Sequence, residues 1–185
     1  RYLRPAACIA LYASPQALLL LLPLCEPMSK IIDKKAVVAR RAKLKAKCDI
    51  EIGAGTFIHN DCQILALKGP IYIGSENLIE EQVVIVNNTT TPMIIGDHNY
   101  IEVGARIESL KIGSRNKFEC KSSVAAGAEV GDDCIIGAAV EICSGDVVED
   151  NFIIFGSKQE RRMIKSKRNL SDIKAALAAL KGMAG

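Results

Sequence analysis

Two histidines and seven cysteines are the residues of this 185-residue chain that could most directly build a metal or redox centre. A catalytic zinc takes three protein ligands and a water. His59 and His98 supply two nitrogens at most, and no CxxC pair adds thiolates at zinc-binding spacing. The chain also lacks a GxGxxG loop, a P-loop and a nucleophile elbow. The other reactive groups in a regular arrangement are Glu80, Glu102 and Glu119. Each closes a segment of the form Ile-Gly-x-x-Asn-x-apolar-Glu: IGSENLIE at 73–80, IGDHNYIE at 95–102 and IGSRNKFE at 112–119. Three aligned carboxylates without a local partner read as an acidic docking stripe. With a nearby Lys or Arg they read as a solubilising face.

The elements that position these groups follow a six-residue clock. Branched aliphatics recur at Ile32, Val38, Leu44 and Ile50, after a two-residue reset at Ile52, Ile58 and Ile64, and at Ile73, Ile79 and Ile85. They continue at Ile95, Ile101 and Ile107, and then without a slip through Ile112, Phe118, Val124, Val130, Ile136, Ile142, Val148 and Ile154. A period of six is neither helical nor that of an ordinary strand. It is the pattern of a hexapeptide parallel β-helix: three short strands per triangular coil, with the repeating aliphatic pointing inward. About seven coils are expected. Gly53, Gly74, Gly96, Gly113 and Gly131 each follow a beat and should stack in one column, at corners taken to need positive φ. Asn77, Asn99 and Asn116 share the fourth position after a beat, where they should form an amide ladder. Cys48, Cys62 and Cys134 occupy the same slot as Ala36, Ala42, Ala105 and Ala128, so they read as small buried side chains. The glutamates form an outward column about 4.8 Å apart, a spacing at which like charges repel. His59 directly follows a beat and His98 lies three after one, so the two occupy different corner positions. Register slips near Ile50, at 68–70, at 87–92 and between Ile107 and Ile112 mark loops that bulge outward. The overlapping N-x-T matches at Asn87 and Asn88 read as plain loop.

Composition agrees with a narrow aliphatic core: there is no Trp, and 49% of residues are hydrophobic. Unpaired buried thiols suit a reducing compartment. Net charge is +3, unevenly spread. Residues 28–47 carry eight Lys or Arg against Asp33, residues 48–156 carry six basic and seventeen acidic side chains, and residues 157–185 carry eight basic and two acidic. An acidic body with basic ends suggests charged protein surfaces as partners. The basic run 34–47 lacks interleaved aromatics, so nucleic acid is not an expected ligand.

The termini depart from the clock. Residues 1–27 share no periodicity with the rest, and Pro15 and Pro23 interrupt any helix. Met28-Ser29-Lys30 looks like a natural start, so 1–27 are expected to be a non-native or disordered extension. A secretory signal and an organelle presequence are the other readings. No direct membrane insertion is expected. The β-helix is expected over 28–156, and a basic linker with a C-terminal helix over 157–185. Ser171 is a plausible N-cap, and Ile173, Ala176, Leu177 and Leu180 form one apolar stripe that must lie on a wall of the prism. Arg161, Arg162, Lys165, Lys167 and Arg168 lead into it. They are candidates, with the glutamates, for pairing with the acidic body or with a partner.

One stretch is more specific than the hexad. Glu76-Asn77-Leu78-Ile79-Glu80-Glu81-Gln82, followed by Pro92-Met93-Ile94-Ile95-Gly96, resembles the dynactin subunit 6 family, and the likeness extends over about 31–155 and the tail helix. The resemblance implies an all-β, left-handed parallel β-helix with its helix packed on the side, and a subunit without catalytic residues, metal or cofactor. It implies a place in the pointed-end complex of dynactin alongside subunit 5, subunit 4 and an actin-related protein. Dynein and its cargo adaptors are indirect partners, and the location is cytoplasmic, on the cytoskeleton. Glu80, Glu102, Glu119, Arg161 and Arg162 are the residues expected to meet partners. The C-terminal phosphosite of animal members cannot be carried over, because no Thr follows Thr91. Hexapeptide prisms also occur as gamma-class carbonic anhydrases and acyltransferases, which remain the alternative reading.

Overall fold

The hexad folds as a coil of three short strands, and a strand of two or three residues cannot hold itself in isolation. It pairs instead with the strand one coil away. In a computed structural model that describes residues 29–164 and 171–183, this pairing builds three walls. Wall A stacks Lys30–Ile32, Ile50–Ile52, Ile71–Ile73, Met93–Ile95, Lys111–Ile112, Glu129–Val130 and Val147–Val148. Wall B stacks Val37–Val38, Phe57–Ile58, Leu78–Ile79, Tyr100–Ile101, Lys117–Phe118, Ile135–Ile136 and Phe152–Phe155. Wall C stacks Lys43–Ala46, Gln63–Ala66, Val84–Asn87, Arg106–Ile107, Ser123–Val124 and Glu141–Ile142. All these neighbours are parallel and in register, beat on beat, as in Ile52↔Ile73 and Phe118↔Ile136. The count is six full coils and two strands of a seventh.

The beats fill the prism. From Ile52 to Ile154 every one is buried. Phe118 is also fully enclosed, so the interior does take an aromatic ring. Ile32 departs from the inward expectation at 39% exposure, and Val38 and Leu44 are only half-buried. Among the described residues these three have a neighbouring coil on one side only.

Two kinds of corner residue do different work. At thirteen corners from Gly55 to Asn151 the third residue after the beat has positive φ. Nine of these are not glycine, including Glu76, His98, Arg115 and Asp133. Each such residue costs about 1 kcal/mol in the left-handed region. Donation across coils offsets that cost: the His98 N–H donates to Ser75 O (2.9 Å) and the Arg115 N–H to Asp97 O (2.8 Å). The predicted glycine column exists, but for another reason than positive φ, which none of its members has. A Cβ on Gly96 would lie 2.7 Å from the Gly113 carbonyl oxygen, and one on Gly113 would lie 2.5 Å from that of Gly131. Close approach of successive coils excludes any side chain there. The register slips all fall at the corner from wall C to wall A. There Asn87 ties its loop down by donating to Pro70 O (2.9 Å) and Thr91 O (2.8 Å) and accepting from the Thr89 N–H (3.0 Å).

The C-terminal part differs from the expected linker. After Phe152–Phe155 the chain turns at Gly156 and Gln159, both at positive φ, and returns as the antiparallel strand Glu160–Met163. Arg161 and Arg162 therefore lie in a strand that covers the far edge of wall B, where an unpaired ladder would otherwise be open. Hexad spacing carries no signal for it, because the strand runs against the coil. The helix Ser171–Met183 lies on the opposite half of wall B. Leu177 (2% exposed) packs against Phe57 and Leu78, with Val37, Tyr100, Ala176 and Leu180 around them. Burying one leucine this way stabilises by about 1.5–3 kcal/mol. Residues 1–27, Lys165, Lys167 and Arg168, and the side chain of Ile173, lie outside the described residues.

Replacing Gly113 by Ala should destabilise the protein by about 1–3 kcal/mol, since the methyl group meets backbone rather than a movable side chain. Urea denaturation measures this; an unchanged midpoint would show that neighbouring coils can spread apart.

Candidate protein-interaction surface

The corner from wall B to wall C carries the acidic column. His59, Glu80, Glu102 and Glu119 each follow a wall-B beat, so stacking aligns them. Of the two readings of the glutamates, the structure shows the one with local partners. The Tyr100 hydroxyl donates to Glu80 Oε1 (2.6 Å). Lys117 Nζ lies 2.9 Å from Glu102 Oε1 and 3.5 Å from Glu119 Oε1. Glu102 Oε2 accepts from the N–H and the thiol of Cys120 (both 3.1 Å), and Glu119 Oε2 accepts from the Ala138 N–H (3.1 Å). One residue before each beat, wall B presents Tyr100 and Lys117 outward, within reach of the same corner. The column is thus a latticework of bonds between coils and not a row of free charges.

Electrostatics follow from that lattice. Partial burial pushes the Tyr100 hydroxyl well above the usual phenol range, and the bond to Glu80 adds to this. Burial opposes the Glu102 charge, but donation from Lys117 and Cys120 outweighs it and holds the carboxyl below the usual range. Burial likewise opposes the Lys117 ammonium, and Glu102 with Glu119 more than compensates. Arg161 and Arg162 sit elsewhere, three strands along wall B from Lys117–Phe118. Arg161 reaches Val147 O (3.2 Å) and Asp146 (3.8 Å), and the Arg162 guanidinium lies 5.5 Å from the Phe155 ring. The fold does not join these arginines to the acidic column.

The Asn slot forms the expected ladder inside the corner from wall A to wall B. The Asn99 N–H donates to Asn77 Oδ1 (2.8 Å), that of Asn116 to Asn99 Oδ1 (2.9 Å) and that of Cys134 to Asn116 Oδ1 (2.7 Å). Asn77 Nδ2 and Asn99 Nδ2 donate to the carbonyls of Gly96 and Gly113 (3.0 Å each). Thr56 begins the ladder by donating to Gly74 O (2.7 Å). Sequence reasoning missed a second ladder beside it. Asp97, Asp132 and Asp150 accept from the N–H groups of Ser75, Ser114 and Asp132 (2.6–2.8 Å). Its signal was the Ser or Asp directly after Gly74, Gly96, Gly113 and Gly131. Arg115 then clamps Asp133 through three contacts (2.7–3.1 Å) and also donates to Asp132 (3.1 Å).

The histidines do not meet. His59 Nδ1 lies 2.9 Å from Glu81 Oε1, too poorly aligned for a hydrogen bond, whereas His98 turns the corner from wall A to wall B. Among the described residues no group of three His, Cys, Asp or Glu side chains is placed to hold a metal. Cys62 and Cys134 are buried as expected; burial pushes the Cys62 thiol up to about 11 and raises that of Cys134. Wall A carries a shallow trough of about 440 Å³ that the hexad gives no hint of, lined by Ile31, Glu51, Tyr72 and Ile94 over the glycine column.

Two measurements check this picture. Brief alkylation of the native protein, mapped by mass spectrometry, should mark the exposed Cys143 and leave Cys62 and Cys134 unmarked until the protein unfolds. Because the folded-state pKa of Glu102 is depressed, its stabilisation is present at neutral pH and is lost as pH falls below the ordinary glutamate value of about 4.3. The stability gap between wild type and Glu102→Gln should therefore be widest near pH 7 and close in acid. A pH-independent gap would mean that the Glu102 charge is not what matters.

No family model matches the chain. Solved structures show the fold: AntD, an N-acyltransferase from Bacillus cereus, superposes with a TM-score of 0.63 at 14% identity, covering 94% of this chain and 98% of that one. This is the left-handed hexapeptide β-helix. The carbonic anhydrase of Methanosarcina thermophila is 27% identical over 118 residues, covering 60% of this chain and 46% of that protein. Dynactin subunit 6 of Danio rerio is 37% identical over 157 residues, covering 76% of this chain and 80% of the relative. Dynactin subunit 6 of Nematostella vectensis is 37% identical over 148 residues, covering 74% and 79%. Identity at that level across about four fifths of two animal proteins, on a stack of hexad coils, shows that the chain belongs to the dynactin subunit 6 family.

Proposed function

We propose that this chain is a non-catalytic subunit of the dynactin pointed-end complex, a rigid column that supports dynein-driven cargo transport along microtubules. The similarity to dynactin subunit 6 chains carries this reading. A continuous core of stacked aliphatics adds support, since a close-packed prism holds its outer faces in fixed relation. Its partners in this reading are dynactin subunit 5, subunit 4 and an actin-related protein, with dynein and cargo adaptors reached through them. It works in the cytoplasm on the cytoskeleton. Among the described residues no helix is long and apolar enough to cross a membrane. Glu80, Glu102 and Glu119, with Arg161 and Arg162, contribute charge at the rim of partner contacts, where charges act mainly on encounter rate and specificity.

Affinity purification of the tagged chain from cytosol should recover an actin-related protein and a second β-helix subunit in stoichiometric amounts. Recovery of no dynactin subunit would overturn the reading. Glu119→Lys should leave the fold intact and weaken that recovery a few-fold. Elemental analysis of the same sample separates the alternatives: stoichiometric zinc would favour the carbonic anhydrase reading.

A further inference from the structure

The three walls are dressed differently. Wall B is covered over its first coils by its own helix, through Phe57 and Leu78. Wall C turns Lys43, Lys45, Arg106 and Glu141 to solvent. Wall A instead places Ile31, Glu51, Tyr72 and Ile94 in one outward column of paired strands. Ile31 and Ile94 are each 55% exposed, Ile31 beside Glu51 and Ile94 between Tyr72 and Lys111.

The trough beside this column is flat because its floor is backbone. Gly53, Gly74 and Gly96 raise no side chain, and the carbonyls of Gly74 and Gly96 are already taken by Thr56 and Asn77 from within. The floor therefore offers few free hydrogen-bonding groups to a small polar ligand. Its lining includes three carboxylates, Asp33, Glu51 and Asp97, and no Lys or Arg; the first cation along the column is Lys111, beyond Ile94 and paired with Glu129. Asp33 and Asp97 accept from the N–H groups of Lys35 and Ser75. Glu51, between Ile31 and Tyr72, has no ion-pair partner among the described residues.

We propose that wall A, from its first to its fourth coil, is a docking face for a second, different subunit of the assembly, which lays an apolar ridge along Ile31, Tyr72 and Ile94 and brings a lysine or arginine to Glu51. This rests on membership of a dynactin complex. Two features decide the occupant. A flat apolar floor with an acidic rim matches an apolar surface carrying positive charge. A second copy of this chain related by two-fold symmetry would set Asp33, Glu51 and Asp97 against their own counterparts, so like charges would meet across the contact.

The test compares the tagged full-length chain with Ile94→Arg, Glu51→Lys and Val147→Arg expressed in the same cells. Val147 is on wall A but three coils beyond Ile94, and 56% exposed. Wild type and Val147→Arg should recover dynactin subunits equally, whereas Ile94→Arg and Glu51→Lys should recover about tenfold less, with melting temperatures close to wild type. If both variants recover wild-type amounts, wall A is not the docking face although membership of the complex stands. If wild type itself recovers no dynactin subunit, the underlying reading fails instead. Sedimentation of the isolated chain adds one outcome: a dimer that Ile94→Arg dissociates would mean that a second copy occupies the face, and would overturn the proposal.

Discussion

Lateral hydrogen bonding between coils is the constraint from which the rest of this structure follows. Strands of two to four residues have no stability of their own, so most backbone donors of the described coils find their acceptors about one coil away, and the rest close corner turns. That bond fixes the rise at about 4.8 Å per coil and leaves no freedom of register. Residues at equivalent places must then stack directly on one another. An inward aliphatic in one coil demands one in the next, which is why Ile52, Ile73, Ile95 and Ile112 form a single line. Stability in such an array is close to a sum of neighbour terms along one axis.

The same stacking turns any single choice of side chain into a column, and columns of like charges repel unless alternated or paired. The chain solves this differently at each corner. Between walls A and B the side chains are either removed, as glycine, or turned into acceptors for the next coil's N–H groups, as in the Asn and Asp ladders. Between walls B and C the glutamates remain, and Lys117 and Tyr100 from the adjoining wall are set among them. Between walls C and A the corner is relaxed, and the chain puts its insertions there. Glu51 stands apart from these solutions: a carboxylate between Ile31 and Tyr72, without an ion-pair partner among the described residues.

A column of this kind is suited to presenting surfaces. Its interior is packed solid, Cys62 and Cys134 are buried as space-fillers, and its two histidines face different corners. What varies around the circumference is how each wall is finished: covered by the tail helix, charged, or apolar and flat. Membership of the dynactin subunit 6 family agrees with a molecule whose differences lie on its outside.

The sequence alone determined the coil and the column: period six leaves one solution, and the Gly and Asn positions could be placed on one edge before any coordinates. The tail stripe of Ala176, Leu177 and Leu180 was legible for the same reason, since an amphipathic period declares a buried face. Several features could not be read. Positive φ belongs to the third residue after the beat, where side chains as different as Asp61, Gln82 and Ala139 occur, because the corner constrains backbone and not chemistry. The glycines answer to a neighbour some twenty residues away. Tyr100 and Lys117, which pair with the glutamates, come from the outward position of wall B, and Cys120 and Ala138 from the corner of the next coil, positions whose residues share no type, so no spacing rule finds them. The strand Glu160–Met163 runs against the coil and leaves no hexad. The sequence therefore determined which side chains point inward, because the interior admits only one kind, and tertiary structure alone decided which outward side chains become neighbours, because that depends on stacking between residues remote along the chain.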